Sequence, residues 1–459
     1  MIITFVFQFL LAAILGAQKA AIILSLFLFL FFSYGYIFDF INICINQSLY
    51  FRRIYLLIIF IIAFVFLTYI IIKSRHILGN VNSLLNFAAI ILCSISIFRI
   101  LIITAKDDLQ LFPIKNYTLY NSSSYLYKKI CNRDIYYIIL DGYASDATLK
   151  NFYGYNNKEF TDYLLSKGFV IASGSHSNYM QTHLSLSSSL NMKYLDVLSG
   201  KASKNPDIPN IMIHKAGVVS YLKKKGYKFI NYSSGWGATR HIPYSDIEYD
   251  YGVTNELYCA FIRSTVLRFI EDKLIYDDQR NRILLTLKGL SNIPSTSGPK
   301  FIFAHIVCPH PPFFFGQHGE HLTVLYDNSW TEKQKYKNQL IFINHQVEAM
   351  ISQILKKPGL FPIIIIQSDH GPASTIKNEK NWENPNNQMI NERTSIINAY
   401  YLPSIDNNAI YNTITPVNTF RVIFNIYFNA QYKLLPDMIY FSSPEHPYFF
   451  LDVTSRINN

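Results

Sequence analysis

The first 104 residues are almost without charge, and that decides what they can fold into. From Met1 to Thr104 the chain has six basic residues (Lys19, Arg52, Arg53, Lys73, Arg75 and Arg99) and one acid, Asp39. Four apolar stretches lie among them: Ile2–Leu15, Ala20–Phe38, Ile54–Ile72 and Val81–Thr104. At about 1.5 Å of rise per residue, the last three are long enough to cross a hydrocarbon core as helices. The first is short, yet it lacks the basic n-region and small-residue cleavage site of a signal peptide, and it reads as a short first span. Residues 1–105 are therefore expected to form a transmembrane helical region of about four spans.

Loop charges give the orientation. With the rest of the chain outside, Lys19, Lys73 and Arg75 face the cytoplasm and Arg52 and Arg53 face outward, a weak positive-inside bias. The remaining chain holds 41 − 6 = 35 basic and 30 − 1 = 29 acidic residues, a net of +6. A balance of that size suits an anionic substrate or an anionic membrane surface and falls short of a nucleic-acid footprint, so no nucleic-acid partner is expected. Cys44, Cys93, Cys131, Cys259 and Cys308 show no CxxC spacing and predict no disulfide framework.

A polar, Tyr/Ser-rich connector covers 106–130, and from there to the end, over 131–459, the pattern changes. Ile135–Leu140 is a short, continuous apolar run between Asp134 and Asp141-Gly142, which predicts a buried strand. Tyr227–Tyr232, Phe301–Val307 and Phe361–Ile366 read the same way. Helical patterns over Lys158–Lys167, Val218–Lys225 and Asn338–Lys357 lie between them. Strands alternating with helices predict an α/β domain whose mostly parallel sheet is covered on both sides.

Three of those strands end in polar clusters: Asp141-Gly142, then Cys308-Pro309-His310-Pro311-Pro312, then Ser368-Asp369-His370-Gly371. Ligands of open α/β sheets bind beyond the carboxyl ends of the strands. Taken singly, the Asp is an ordinary turn or cap residue and Asp-His-Gly a turn whose glycine supplies a positive φ. Together, at three strand ends, they are expected to form a divalent-cation site with oxygen and nitrogen donors. A fourth segment, Ser177 to Asn191, is rich in hydroxyls and begins a helix after the strand-like Phe169–Ala172. A hydroxyl at a helix N-terminus lies among free N–H groups, where a tetrahedral anion is well held, although an N-cap in a Ser-rich loop looks the same.

In this order, the Asp-Gly after the first strand, the following Thr, the PHPP loop and the Ser-Asp-His-Gly resemble the alkaline phosphatase/sulfatase-like superfamily. Within it, the apolar N-terminal region ahead of one catalytic domain resembles the lipoteichoic acid synthase and phosphoethanolamine transferase branch. The resemblance implies a sulfatase-like α/β domain in which Asp141, Thr182, Asp369 and His370 bind one divalent ion (Mn, Mg or Zn). It implies that Thr182 is the nucleophile and that His310 contacts the transferred group or protonates the leaving oxygen. His305, Arg393 and Asn191 are further candidates for substrate contact, each with a plain structural alternative. The Cys/Ser-x-Pro-x-Arg motif of formylglycine sulfatases is missing, which points to phosphoryl transfer through a phospho-threonine. No convincing Asp-x-x-x-His pair for a second ion is present, so one ion is expected and a second is left open.

The implied reaction moves a substituted phosphoryl group, of phosphoethanolamine or phosphoglycerol type, from a phospholipid donor to an envelope glycan or lipid acceptor. The protein is then expected in the cytoplasmic (inner) membrane, multi-pass, with its catalytic domain extracytoplasmic. The alternatives are a phosphate- or sulfate-ester hydrolase and a non-catalytic membrane scaffold, the latter with no reason to keep all four of Asp141, Thr182, Asp369 and His370.

Overall fold

The computed structural model describes residues 2–44, 53–74, 79–80, 82–87, 89–91, 94, 132–253, 256–293, 298–322, 330–405 and 409–457. The predicted connector and most of the fourth apolar stretch lie outside the described residues. The chain forms two compact units: residues 1–128 with Leu257–Glu271, and Lys129–Glu256 with Asp272–Asn459.

The first unit is built on α1 (Ile2–Leu15), α2 (Ala17–Cys44) and α3 (Arg53–Lys73). Two helices are long and apolar enough to cross a membrane, over Ala17–Ile41 and Ile54–Lys73. At 14 residues α1 falls short of that length, so among the described residues there are two candidate spans against the four expected. Lys19 Nζ donates to the Ile72 carbonyl at 2.7 Å, which sets the start of α2 beside the end of α3. Tyr34, Phe38, Leu56 and Phe60 form a small core between the two helices. The opposite faces stay apolar and bare, an arrangement that suits contact with lipid and is unsuited to water.

The second unit is centred on seven strands: β1 (Ile135–Leu140), β2 (Val170–Ile171), β3 (Lys228–Tyr232), β4 (Ile247–Tyr249), β5 (Lys300–Ile306), β6 (Ile363–Gln367) and β7 (Asn398–Tyr401). Their order is β2-β7-β6-β1-β5-β3-β4. From β6 to β4 all neighbours are parallel; β7 runs antiparallel to β6, and β2 antiparallel to β7. Every side chain of β1 is buried. Tyr136, Ile138 and Leu140 enter one core and Ile135, Tyr137 and Ile139 the other. Two covered faces are why the strand reads as an unbroken apolar run rather than an alternating one.

Helices fill both faces. On one lies Glu332–Leu355, whose Leu340, Ile343, Val347, Ile351 and Ile354 are buried. It begins six residues earlier than its apolar periodicity suggests, because a capping box between Thr331 and Gln334 sets the start ahead of a charged first turn. On the other face, Leu186 and Leu190 of the Thr182–Asn191 helix join the second core.

Register levels the strand ends. Ile139 is opposite both His305 of β5 and Gln367 of β6, so the polar residues after β1, β5 and β6 leave the sheet side by side. Ile138, fully buried at the centre of β1, is the natural probe of this scaffold. Ile138→Ala should cost about 2–5 kcal/mol by leaving a cavity, read as a lower thermal midpoint of the detergent-solubilised chain. An unchanged midpoint would show that the sheet centre is not closely packed.

Candidate metal centre and nucleophile

Asp141 is the first residue past β1. Its amide donates to Ile306 O at 3.0 Å and its carbonyl accepts from His310 N at 2.9 Å, which ties the ends of β1 and β5 together. Gly142 follows with φ +72°, a left-handed turn that glycine adopts without strain. The Tyr336 hydroxyl donates to Gly142 O at 2.8 Å and accepts from Ala144 N at 3.1 Å, bracing that turn from the long helix. Past β6, Gly142 N donates to Asp369 Oδ1 at 3.3 Å and Tyr143 N to Ser368 Oγ at 2.9 Å.

The side chains then converge on His370 Nε2. It lies 3.2 Å from Thr182 Oγ1, 3.3 Å from Asp369 Oδ2 and 3.6 Å from Asp141 Oδ1. His370 Nδ1 donates to the Gly371 carbonyl at 3.0 Å, so Nε2 presents its lone pair to the cluster. His310 Nδ1 likewise donates to the Pro311 carbonyl, leaving its own Nε2 lone pair available. Asp141, His310 and His370 can each offer a ligand atom within 4.8 Å of the others, and so can Asp141, His305 and Asp369.

Asp141 Oδ1 and Asp369 Oδ2 are buried and hydrogen-bonded to no described residue. Two such buried oxygens facing one imidazole lone pair are costly unless a cation joins them. Burial alone would raise the Asp141 carboxyl, but His310, His305 and His370 together hold it well below the usual range. Burial and the Asp141 charge instead push Asp369 up, with the adjacent Thr182 hydroxyl easing the shift slightly. Burial and the nearby Arg393 keep His370 neutral. A neutral imidazole, two carboxylate oxygens without donors and a hydroxyl make a donor set that fits a divalent ion.

Thr182 is the first residue of its helix, after the extended Gln181. Gln181 is held from both ends: its Nε2 donates to Ser442 O at 2.8 Å and its Oε1 accepts from Ser442 Oγ at 3.0 Å. Ser442 is also in the wall of a cavity of about 520 Å³ lined by Trp382, Phe441, His446, Phe449 and Leu451.

The other sequence candidates fall in different places. His305 is buried inside β5; its Nε2 donates to Asp141 Oδ2 at 3.2 Å and its Nδ1 meets Thr239 Oγ1 at 2.8 Å. With both nitrogens hydrogen-bonded, it orients the Asp141 carboxylate. Arg393 is buried, not a surface arginine. Its guanidinium donates to Gly371 O at 2.7 Å and Met180 O at 2.5 Å, linking the loop of His370 to the loop of Thr182, and it lies 5.4 Å from the Trp382 ring. Burial lowers its pKa to about 10, so it stays cationic at neutral pH.

The structure does not bring Asn191 to the cluster. It ends the Thr182 helix, where its side chain donates to Ser187 O and Met212 O, both at 2.9 Å, and accepts from Gly217 N at 3.0 Å. Nor does the Asp-His-Gly glycine supply a positive φ. A Cβ on Gly371 would lie 2.1 Å from the Glu392 carbonyl oxygen, so lack of room is what requires glycine there. Sequence reasoning passed over His183, the residue after Thr182, whose Nε2 is buried with no described partner and whose pKa burial lowers to about 4. Its place directly after Thr182 was the available signal.

A family model described as Sulfatase matches residues 133–394. Among solved structures, the chain is similar to the zinc complex of the C-terminal periplasmic domain of EptC from Escherichia coli. That match has 13% identity and a TM-score of 0.47, and covers 72% of this chain and 96% of that one. It is also similar to the integral membrane lipooligosaccharide phosphoethanolamine transferase A from Neisseria meningitidis, at 12% identity and TM-score 0.43, covering 92% and 84%. A third is the lipoteichoic acid synthase LtaP from Listeria monocytogenes, at 11% identity and TM-score 0.43, covering 68% and 75%. No curated protein matches the chain.

Asp369→Asn should leave the circular dichroism of the folded chain unchanged and reduce bound metal to background by elemental analysis. Full metal content in that variant would dismiss the site. The wild-type centre should also show proton linkage. Because Asp369 is raised, it holds a proton to higher pH than an ordinary carboxyl, and an entering cation must displace it. Calorimetric titrations in buffers of different ionisation enthalpy should therefore show more protons released in mildly acidic than in neutral solution, with affinity weakening as pH falls.

Proposed function

This chain belongs to the sulfatase family, and on that premise we propose that it is a membrane-anchored phosphotransferase acting through Thr182. It is an enzyme of the sulfatase-like superfamily, and the convergence of Thr182 Oγ1 and two donor-less carboxylate oxygens on His370 Nε2 carries the finer reading. A divalent ion held by Asp141, Thr182, Asp369 and His370 would acidify the hydroxyl and neutralise phosphoryl charge.

In this reading the Thr182 oxygen attacks the phosphorus of a phospholipid and loses its proton to solvent as the P–O(Thr) bond forms. The P–O bond to the diacylglycerol breaks, and His310 returns a proton to that oxygen. An acceptor hydroxyl of an envelope glycan or lipid then attacks the phospho-threonine, giving its proton to His310, and the P–O(Thr) bond breaks to release Thr182, which takes a proton back from solvent. Arg393 keeps the nucleophile segment and the His370 loop in register, and His305 keeps Asp141 aimed. The head group transferred is of phosphoethanolamine or phosphoglycerol type.

Thr182→Ala should abolish turnover, and a trapped phosphoryl adduct should map to Thr182 by mass spectrometry; an adduct on Ser185 or Ser187 would refute the assignment. His310→Ala should keep its metal and lose rate by ~10²–10⁴-fold, as general acid–base groups do. Wild-type rate in that variant with a poor leaving group would remove His310 from the chemistry. Turnover that runs as fast in water alone as with an acceptor would make the protein a hydrolase.

The reading also requires the catalytic unit to lie outside the cytoplasm, where envelope acceptors are. A C-terminal alkaline phosphatase fusion should be active and a green fluorescent protein fusion dark. The opposite pair would overturn the topology and the substrates with it.

A further inference from the structure

Long after the chain has left the apolar helices, Leu257–Glu271 returns to them and packs within the first unit. The contact is built for close approach. A Cβ on Gly35 of α2 would lie 2.0 Å from the Arg263 carbonyl oxygen and 2.7 Å from Ser264 Cα, so only a glycine permits it. Arg268 donates through Nη1 to the Gly35 carbonyl at 3.1 Å and pairs through Nη2 with Asp39 at 2.8 Å. Its guanidinium lies 4.7 Å from the centre of the Phe38 ring. Asp39, the one acid in the first 104 residues, is thus engaged here. Glu271 is buried against Arg263 Nε at 2.7 Å and faces Arg268 Nε at 3.9 Å.

The segment's other side is apolar and bare. Leu257 is 81% exposed, and Phe261 and Phe269 are about two-fifths exposed (41% and 42%). Phe261 lies 6.3 Å, ring to ring, from both Phe31 and Phe32 of α2, and Phe32, Tyr36 and Phe40 of that helix are themselves exposed. The patch therefore continues the bare face of a helix long enough to span a bilayer. Gly35 and Asp39 lie near the end of its apolar stretch, Ala17–Ile41, within roughly 10 Å of that end at helical rise. Aromatic rings with arginines close by, at the end of a span, suit the headgroup layer, where apolar faces sink in and guanidinium heads reach water.

We infer that residues 257–271 are an interfacial anchor, lying in the headgroup layer of the leaflet at the Asp39 end of α2, with a phospholipid surface as partner. The inference rests on α2 crossing the membrane and not on the phosphoryl chemistry. It adds that the catalytic chain enters and leaves this segment at the leaflet from which a phospholipid donor would be taken.

The test uses the full chain in vesicles of phosphatidylethanolamine and phosphatidylglycerol, with tryptophan added at exposed positions: Leu257→Trp, Phe269→Trp and, as an aqueous control, Lys158→Trp. Relative to the unmodified chain, the first two should add blue-shifted emission quenched by brominated lipid, and the control emission quenched by aqueous iodide. Emission at 257 and 269 that behaves like the control would overturn the anchor. Shielding from both quenchers would mean a protein partner there and would overturn it equally. No activity is read, so failure of the anchor is distinct from failure of the proposed reaction.

Discussion

Two buried carboxylates that would repel one another are the constraint on which the catalytic unit depends. Asp141 and Asp369 belong to adjacent strand ends, and each turns an oxygen without a donor toward His370. Charge buried this way costs several kcal/mol per ion unless it is compensated. Part of the compensation comes from hydrogen bonds: His305 donates to the far oxygen of Asp141, and Gly142 N donates to the far oxygen of Asp369. What remains is one uncompensated oxygen from each carboxylate, both near the same imidazole nitrogen and the same hydroxyl. The apo cluster is frustrated in the specific way a cation would relieve.

The surrounding architecture serves to keep that frustration in place. β1 carries apolar side chains on both faces and is flanked by parallel partners, so its end cannot shift without unpacking two cores. Tyr336 from the long helix, Ser368 from the β6 loop and the His310 amide all bind the turn that follows it. Strain in a tightly packed interior has few ways to relax, and here the packing holds the ligands apart from each other and from solvent.

Much of this was legible in the residues because strand ends and burial leave strong signatures. Ile135–Leu140 had to be a doubly covered strand, and its neighbours read alike; three polar clusters at their ends could only meet at one sheet edge. What the sequence could not show was which atoms face inward. His305 and Asn191 look like substrate ligands by residue type, yet each is spent on internal hydrogen bonds: one bracing Asp141 from within β5, the other closing a helix end far along from Thr182. The glycine of Asp-His-Gly is explained by a carbonyl from a distant helix that no local pattern announces. Likewise Leu257–Glu271 has the composition of an ordinary amphipathic helix, and its partner, Asp39, is far away in the chain.

Arg393 shows how the Thr182 segment and the His370 loop come to act as one piece. Thr182 starts a helix on one face of the sheet and His370 lies in the loop after β6, so nothing in the local chain fixes the distance between them. A guanidinium can do so because its planar fork donates in two fixed directions at once, here to Met180 O, two residues before Thr182, and to Gly371 O, the residue after His370. A lysine ammonium, as a single point on a flexible stem, would satisfy one carbonyl and leave the other to drift. The buried cation also stands behind the two carboxylates, where its charge favours their ionised forms, and thereby supports the ligand state that a metal ion needs. One buried side chain thus ties the Thr182 segment to the His370 loop and puts a positive charge near the two carboxylates.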